Sequence, residues 1–194
     1  MSNDPFTTAP PQTAELDLLM PLHFFLGAMS GFDVTFIPGE DMPEPYRHLL
    51  VHESDMTPRL SDFHQSEIGL RVHTKKEADD FVMRAVVLHK TDSQGELVPV
   101  EFGAIGIQLE PFPAPLQEMI KAGERPLGGI LQEQGVVHSS HPRAYFKILI
   151  DEKLGDLLHA PAGSTHYGRS NVLRDADGID FADIVEILPL AENP

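Results

Sequence analysis

Two charged residues sit where strand alternation gives them apolar company. In Phe81-Val82-Met83-Arg84-Ala85-Val86-Val87-Leu88, the two-residue period of a strand puts Arg84 on the side of Val82, Val86 and Leu88. In Asp183-Ile184-Val185-Glu186-Ile187-Leu188, Glu186 shares its side with Ile184 and Leu188. A charge flanked by aliphatic residues on its own face is costly unless it is paired or serves a ligand. Three arrangements remain open. Arg84 and Glu186 could form a buried salt bridge, either could face solvent on a half-covered sheet, or both could point into a pocket over the sheet. In the pocket, the planar fork of Arg84 would grip a carboxylate, and Glu186 would meet a hydroxyl or handle a proton.

The elements that must position them follow from periodicity and turn chemistry. Leu18, Leu19, Leu22, Phe25, Leu26 and Met29 recur at helical spacing and predict a short amphipathic helix ending near Gly31. Residues 37–43 read as a loop. Pro45 opens a short helix through His52, and Thr57-Pro58 reads as an N-cap followed by a first-turn proline. From Glu67 onward the pattern becomes that of strands: Ile68, Leu70 and Val72 alternate with Gly69, Arg71 and His73. The apolar runs 81–89 and 97–109 flank Thr91-Asp92-Ser93-Gln94-Gly95, a hairpin signal. Helices are predicted over 115–122 and 127–134, a strand over 140–150 and a short helix over 154–159. A second hairpin runs from 165–173 to 179–188 through Asp175-Ala176-Asp177-Gly178. Hairpins with helices inserted between them imply a mainly antiparallel sheet, hence α+β rather than alternating βαβ.

Five stretches carry a resemblance to the chorismate lyase (chorismate–pyruvate lyase) family. They are Leu49-Leu50-Val51-His52-Glu53-Ser54-Asp55-Met56-Thr57, the strand with Met83-Arg84, Arg125-Pro126-Leu127-Gly128-Gly129-Ile130-Leu131, Tyr167-Gly168-Arg169-Ser170, and Val185-Glu186-Ile187-Leu188-Pro189. They occur in the family's order over about residues 45–190. The resemblance implies an antiparallel sheet with helices covering an internal ligand cavity. It implies a carbon–oxygen lyase that removes pyruvate from chorismate to leave 4-hydroxybenzoate or a related hydroxybenzoate. A non-catalytic protein that binds an aromatic carboxylate on the same fold is the alternative. By the same resemblance Arg84 looks like the arginine on the ring carboxylate, and Met56 and Leu127 like the positions whose backbone N–H groups complete that site. Met56 also has an independent rationale, since a helix start offers free N–H groups and a favourable dipole to an anion. Glu186 looks like the carboxylate near the ring hydroxyl, as base or as positioning group. Arg169 either faces the cavity or is a cross-strand surface arginine.

The chain also departs from that pattern. Where ubiquinone-pathway members carry a Gly-Arg pair, Val98-Pro99-Val100-Glu101-Phe102-Gly103-Ala104 has no base, and a double arginine is reduced to Arg169 followed by Ser170. A second substrate carboxylate would be poorly neutralised.

With 194 residues, one domain over 15–194 is expected, after a polar, proline-rich and disordered segment at 1–14. A formal charge of −16 argues against nucleic acid and anionic lipid as partners, but leaves room for an anionic small molecule in a locally positive pocket. The absence of cysteine excludes disulfides and thiolate sites. The apolar stretch 16–32 is broken by Asp17, Pro21 and His23 and is too short to span a bilayer; with no basic signal-peptide start, a cytoplasmic location is expected. His48 and His52 are spaced as a helical zinc pair, but no second histidine completes the metalloprotease signature, so no metal or other cofactor is expected. Asp175-Ala176-Asp177-Gly178 reads as a hairpin turn rather than a calcium loop, and no glycine-rich phosphate loop is present. A monomer or small homo-oligomer is expected.

Overall fold

A computed structural model describes residues 18–26 and 33–189. The expected disordered segment at 1–14 and the predicted helix end near Gly31 lie outside the described residues. Seven strands form one sheet: β1 (Asp33–Ile37), β2 (Gly69–Glu77), β3 (Phe81–Thr91), β4 (Leu97–Gln108), β5 (His138–Leu149), β6 (Thr165–Asp175) and β7 (Asp180–Leu188). Their spatial order is β1-β5-β6-β7-β4-β3-β2, and every neighbouring pair is antiparallel. Helices are α1 (Met20–Leu26), α2 (Tyr46–Leu50), α3 (Met56–His64), α4 (Ala114–Ala122), α5 (Leu127–Glu133) and α6 (Glu152–Leu158). The expected α+β architecture, an antiparallel sheet with helices over a cavity, is what the chain forms.

The hairpin turns at 92–96 and 175–179 are built by one aspartate each. Asp92 accepts from the N–H groups of Gln94 and Glu96, and Asp175 from those of Asp177 and Ile179. Such Asx turns let the side chain take the place of a backbone acceptor.

The strand β3 is buried without interruption from Val82 to Leu88. Alternation is invisible in its burial because both faces of the sheet are covered. One face carries Ala85, Val87, Phe102, Ala104, Val185 and Ile187 against α1 and α6. On the other face two apolar clusters form, one under α4 and α5 around Ile107, Ile120 and Leu131, the other under α2 and α3 around Leu50, Leu60 and Leu88. Arg84, Glu101 and Glu186 belong to this second face, along the seam between its clusters.

Gly168 lets β6 lie close to β7 on the α1/α6 face, the side of the sheet away from that seam. A Cβ there would stand 2.4 Å from the Glu186 carbonyl oxygen and 2.5 Å from the Phe146 ring. β1 was not anticipated, because five residues are too few to show a strand's alternation; Val34 and Phe36 nonetheless pack on the α1/α6 side of the core. No helix among the described residues is long and apolar enough to cross a membrane.

Candidate functional site

The register aligns three adjacent rows on the seam. Arg84 of β3 stands opposite Ile105, which stands opposite Ile184, which stands opposite Asn171. Two residues along the strands the row reads Val86, Gly103, Glu186, Arg169. Two further, Leu88 is opposite Glu101. Gly103 lies in the middle row and leaves a hole: a Cβ there would come within 3.2 Å of Val86 Cγ2 and 3.3 Å of Glu101 Oε1. The resulting cavity has a volume of about 70 Å³. A single water needs roughly 10–15 Å³, so there is room for several waters or a small ligand. The first residues of α3 and α5 close it from above, through Met56 and Leu127. Arg84, Glu186, Met56, Leu127 and Arg169 therefore all line one chamber.

Arg84 is 1% exposed. Its Nη2 donates to the Arg125 carbonyl at 3.4 Å, while Nε and Nη1 have no partner among the described residues. Burial pushes the guanidinium down to about 10, since a low-dielectric site disfavours the charged form. A buried guanidinium with two idle donors is costly unless a counter-charge reaches it.

Glu186 does not pair with Arg84. Its carboxylate accepts from Arg169 Nε, directly across the β6–β7 register. Of the two placements open for Arg169, the structure shows the cavity and not the surface: it is fully buried. Its other donors reach the carbonyls of Leu50 (3.3 Å), His52 (3.0 Å) and Ser54 (3.3 Å), tying down the chain that leads into α3. Arg169 Nη1 also donates to His52 Nδ1 at 3.3 Å, and burial together with that positive charge pushes the His52 ring down to about 4, so it is neutral.

The start of α3 differs from the expected one. Asp55 holds the N-cap position, and Thr57-Pro58 lies inside the first turn. The Asp55 carboxylate makes no capping bond and instead accepts from His138 Nε2 at 3.1 and 3.2 Å. That hydrogen bond is the main reason the His138 ring titrates above its ordinary value. With no side-chain cap at α3 or α5, the first N–H groups of both helices are left without an intrahelical partner.

The group not singled out from the sequence is Glu101. It is 4% exposed, lines the cavity, and its Oε2 has no partner among the described residues. Burial first, and then the neighbouring Glu186, hold its carboxyl well above the usual carboxylate range, against the opposing pull of Arg169. The signal was present in the run 98–104, where the same period-2 count puts Glu101 on the face of Gly103 and Ile105. Only the lack of a base was noted there.

Arg169 offsets Glu186, His138 offsets Asp55 when protonated, burial and Glu186 push Glu101 toward its uncharged form, and Arg84 has no ion-pair partner among the described residues. A single anionic group complements Arg84. A second carboxylate would meet Glu101 instead of an arginine.

No protein-family model matches the chain, and no curated protein sequence does either. Solved structures do share its fold. PhnF from Mycobacterium smegmatis superposes with a TM-score of 0.55 at 15% identity, over 72% of this chain and 65% of that one. This chain thus spans about two thirds of that protein's length. The effector domain of the same PhnF gives 0.53 at 16% identity, over 70% of this chain and 88% of the domain. A possible transcriptional regulator, YydK from Bacillus subtilis, gives 0.50 at 9% identity, over 70% and 64%. These comparisons correct the expected lyase. Those solved structures are PhnF, its effector domain and a possible transcriptional regulator, none of them described as a lyase, so the carbon–oxygen lyase, its chorismate substrate and its pyruvate and 4-hydroxybenzoate products are withdrawn. The catalytic roles given to Arg84 and Glu186 go with them. Glu186 is held by Arg169 across the β6–β7 register. The exclusion of nucleic acid as a partner also loses its support, because one relative is described as a possible transcriptional regulator.

Proposed function

We propose that this chain is a non-catalytic, small-molecule-binding domain of the effector type, whose ligand presents one carboxylate or similar anion to Arg84. The observation that carries this reading is the guanidinium itself, buried, lining a cavity, and with Nε and Nη1 unpaired among the described residues. An unpaired buried charge destabilises a fold unless something else compensates it, and a bound anion does. In this reading the uncapped N–H groups of Met56 and Leu127 complete the anion site from above. Glu186 and Arg169 form the chamber wall, and Arg169 holds the 50–54 segment in place without spending its fork on the ligand. Such a domain reports its ligand by a shift in the elements that close over it, here α3 and α5.

The test is calorimetric titration of the protein with small monocarboxylates, benzoate among them, alongside the Arg84→Met variant. Saturable binding that drops at least tenfold in the variant supports the reading. Equal binding by both proteins removes Arg84 from the site.

A further inference from the structure

The two ends of the chamber differ in charge in a way that a plain monocarboxylate does not use. At one end Arg84 stands alone. Toward the other end, two carboxyl groups, Glu101 and Glu186, lie on the same face with one guanidinium, Arg169, between them and the remaining donors. Glu101 is one strand over from Glu186 and one register step beyond it, since Gly103 is the residue opposite Glu186. Along β3 and β4, the rows of Arg84 and Glu101 are four residues apart, roughly 13 Å at about 3.3 Å per residue. Both side chains reach inward from those rows, so a small molecule can touch both.

Arg169 cannot serve both carboxyls. Its Nε goes to Glu186, and its Nη1 and Nη2 go to the carbonyls of Leu50, His52 and Ser54. Glu101 Oε2 therefore stays an orphaned acceptor at nine-tenths burial or more. The other charged or titratable groups facing the chamber offer it nothing: Arg84 stands at the far end, Asp55 carries the same sign and is held by His138, and His52 sits behind Arg169. A buried carboxyl beside a second carboxyl is relieved by a proton or by a cation brought in from outside.

We propose that the chamber is bipolar and selects a zwitterion, an amino-carboxylate whose carboxylate meets Arg84 and whose protonated nitrogen meets Glu101. The inference rests on the anion site proposed above and adds Glu101 as the residue that sets specificity. Burial and the neighbouring Glu186 favour the protonated carboxyl of Glu101 in the free protein, an arriving ammonium favours the carboxylate, and the proton given up leaves to solvent. Binding a zwitterion thus releases up to one proton and strengthens as pH rises through the range where the ligand's amine is still charged. A carboxylate without nitrogen releases none.

The experiment compares matched pairs on the wild-type chain: 4-aminobutyrate against butyrate, and 4-(aminomethyl)benzoate against 4-methylbenzoate. Titration calorimetry in two buffers of different ionisation enthalpy reads both affinity and proton release. The expected result is at least tenfold tighter binding of the nitrogen-bearing member of a pair, with proton release, and loss of both differences in Glu101→Gln. Circular dichroism confirms that this near-isosteric variant is folded, and the wild-type comparison stands without it. Carboxylates that bind equally with and without the amine, and that still depend on Arg84, overturn the zwitterion while sparing the anion site. A preference for the amine that survives in Glu101→Gln overturns the role of Glu101. If neither member of any pair binds, both readings fall.

Discussion

Replacing Arg84 with methionine should make the ligand-free protein more stable. The guanidinium is driven by burial from its ordinary range down to about 10. Each tenfold step in proton affinity corresponds to about 1.4 kcal/mol, so keeping Arg84 charged at neutral pH costs the fold about 3 kcal/mol. The side chain is 1% exposed and has no ion pair among the described residues, so solvent screens little of that cost. Only one donor, Nη2 to the Arg125 carbonyl at 3.4 Å, is lost in return. Methionine keeps the apolar stem and fills much of the same volume. A gain of roughly 1–3 kcal/mol is expected, and for a chain of this size about 2–4 °C in Tm accompanies each kcal/mol. The assay is thermal and urea unfolding of both proteins without ligand, then with a millimolar carboxylate. The wild type should gain Tm with the ligand and the variant should not. A variant less stable than the wild type without ligand would refute the reasoning, because it would mean that Arg84 already has its counter-charge inside the fold.

The opposite sign is expected at Arg169. Arg169→Met leaves Glu186 buried without its partner, which typically costs about 3–5 kcal/mol in urea unfolding; the double variant Arg169→Met with Glu186→Leu should regain most of it, and a single variant within 1 kcal/mol of wild type would show the pair to be dispensable. The pH profile of Tm should have two flanks set by histidines of opposite shift. His52 is neutral in the fold down to about 4, so the unfolded chain binds the extra proton first and stability falls as pH drops from about 6.5 toward 4. His138 is raised by Asp55, so its contribution is full below about 6.5 and fades as pH climbs through its higher folded value. His52→Gln should flatten the acid flank and His138→Gln the alkaline one; a His138→Gln profile unchanged above pH 6.5 would show that the Asp55 bond does not favour the protonated ring.

Much of this site was written in local pattern. The period-2 count placed Arg84 and Glu186 on apolar faces of their strands, and the hairpin turns at Asp92 and Asp175 fixed which strands would be neighbours. Applied to 98–104, the same count would have found Glu101. What spacing leaves open is the partner of each charge, because pairing depends on which strand lies alongside and in what register. The sheet order puts β6 next to β7 and so gives Glu186 to Arg169, leaving Arg84 alone two strands away. The alternation of β3 likewise says nothing of what covers each face; helices packed from both sides bury it throughout. The N-cap at Asp55 escaped for a related reason, since its carboxylate turns to His138, 83 residues away in sequence. Residue types and their periods determined the strands and which side chains share a face. Only the tertiary structure decided which charges cancel and which one is left over, because the energy of a buried charge is set by neighbours that sequence distance does not reveal.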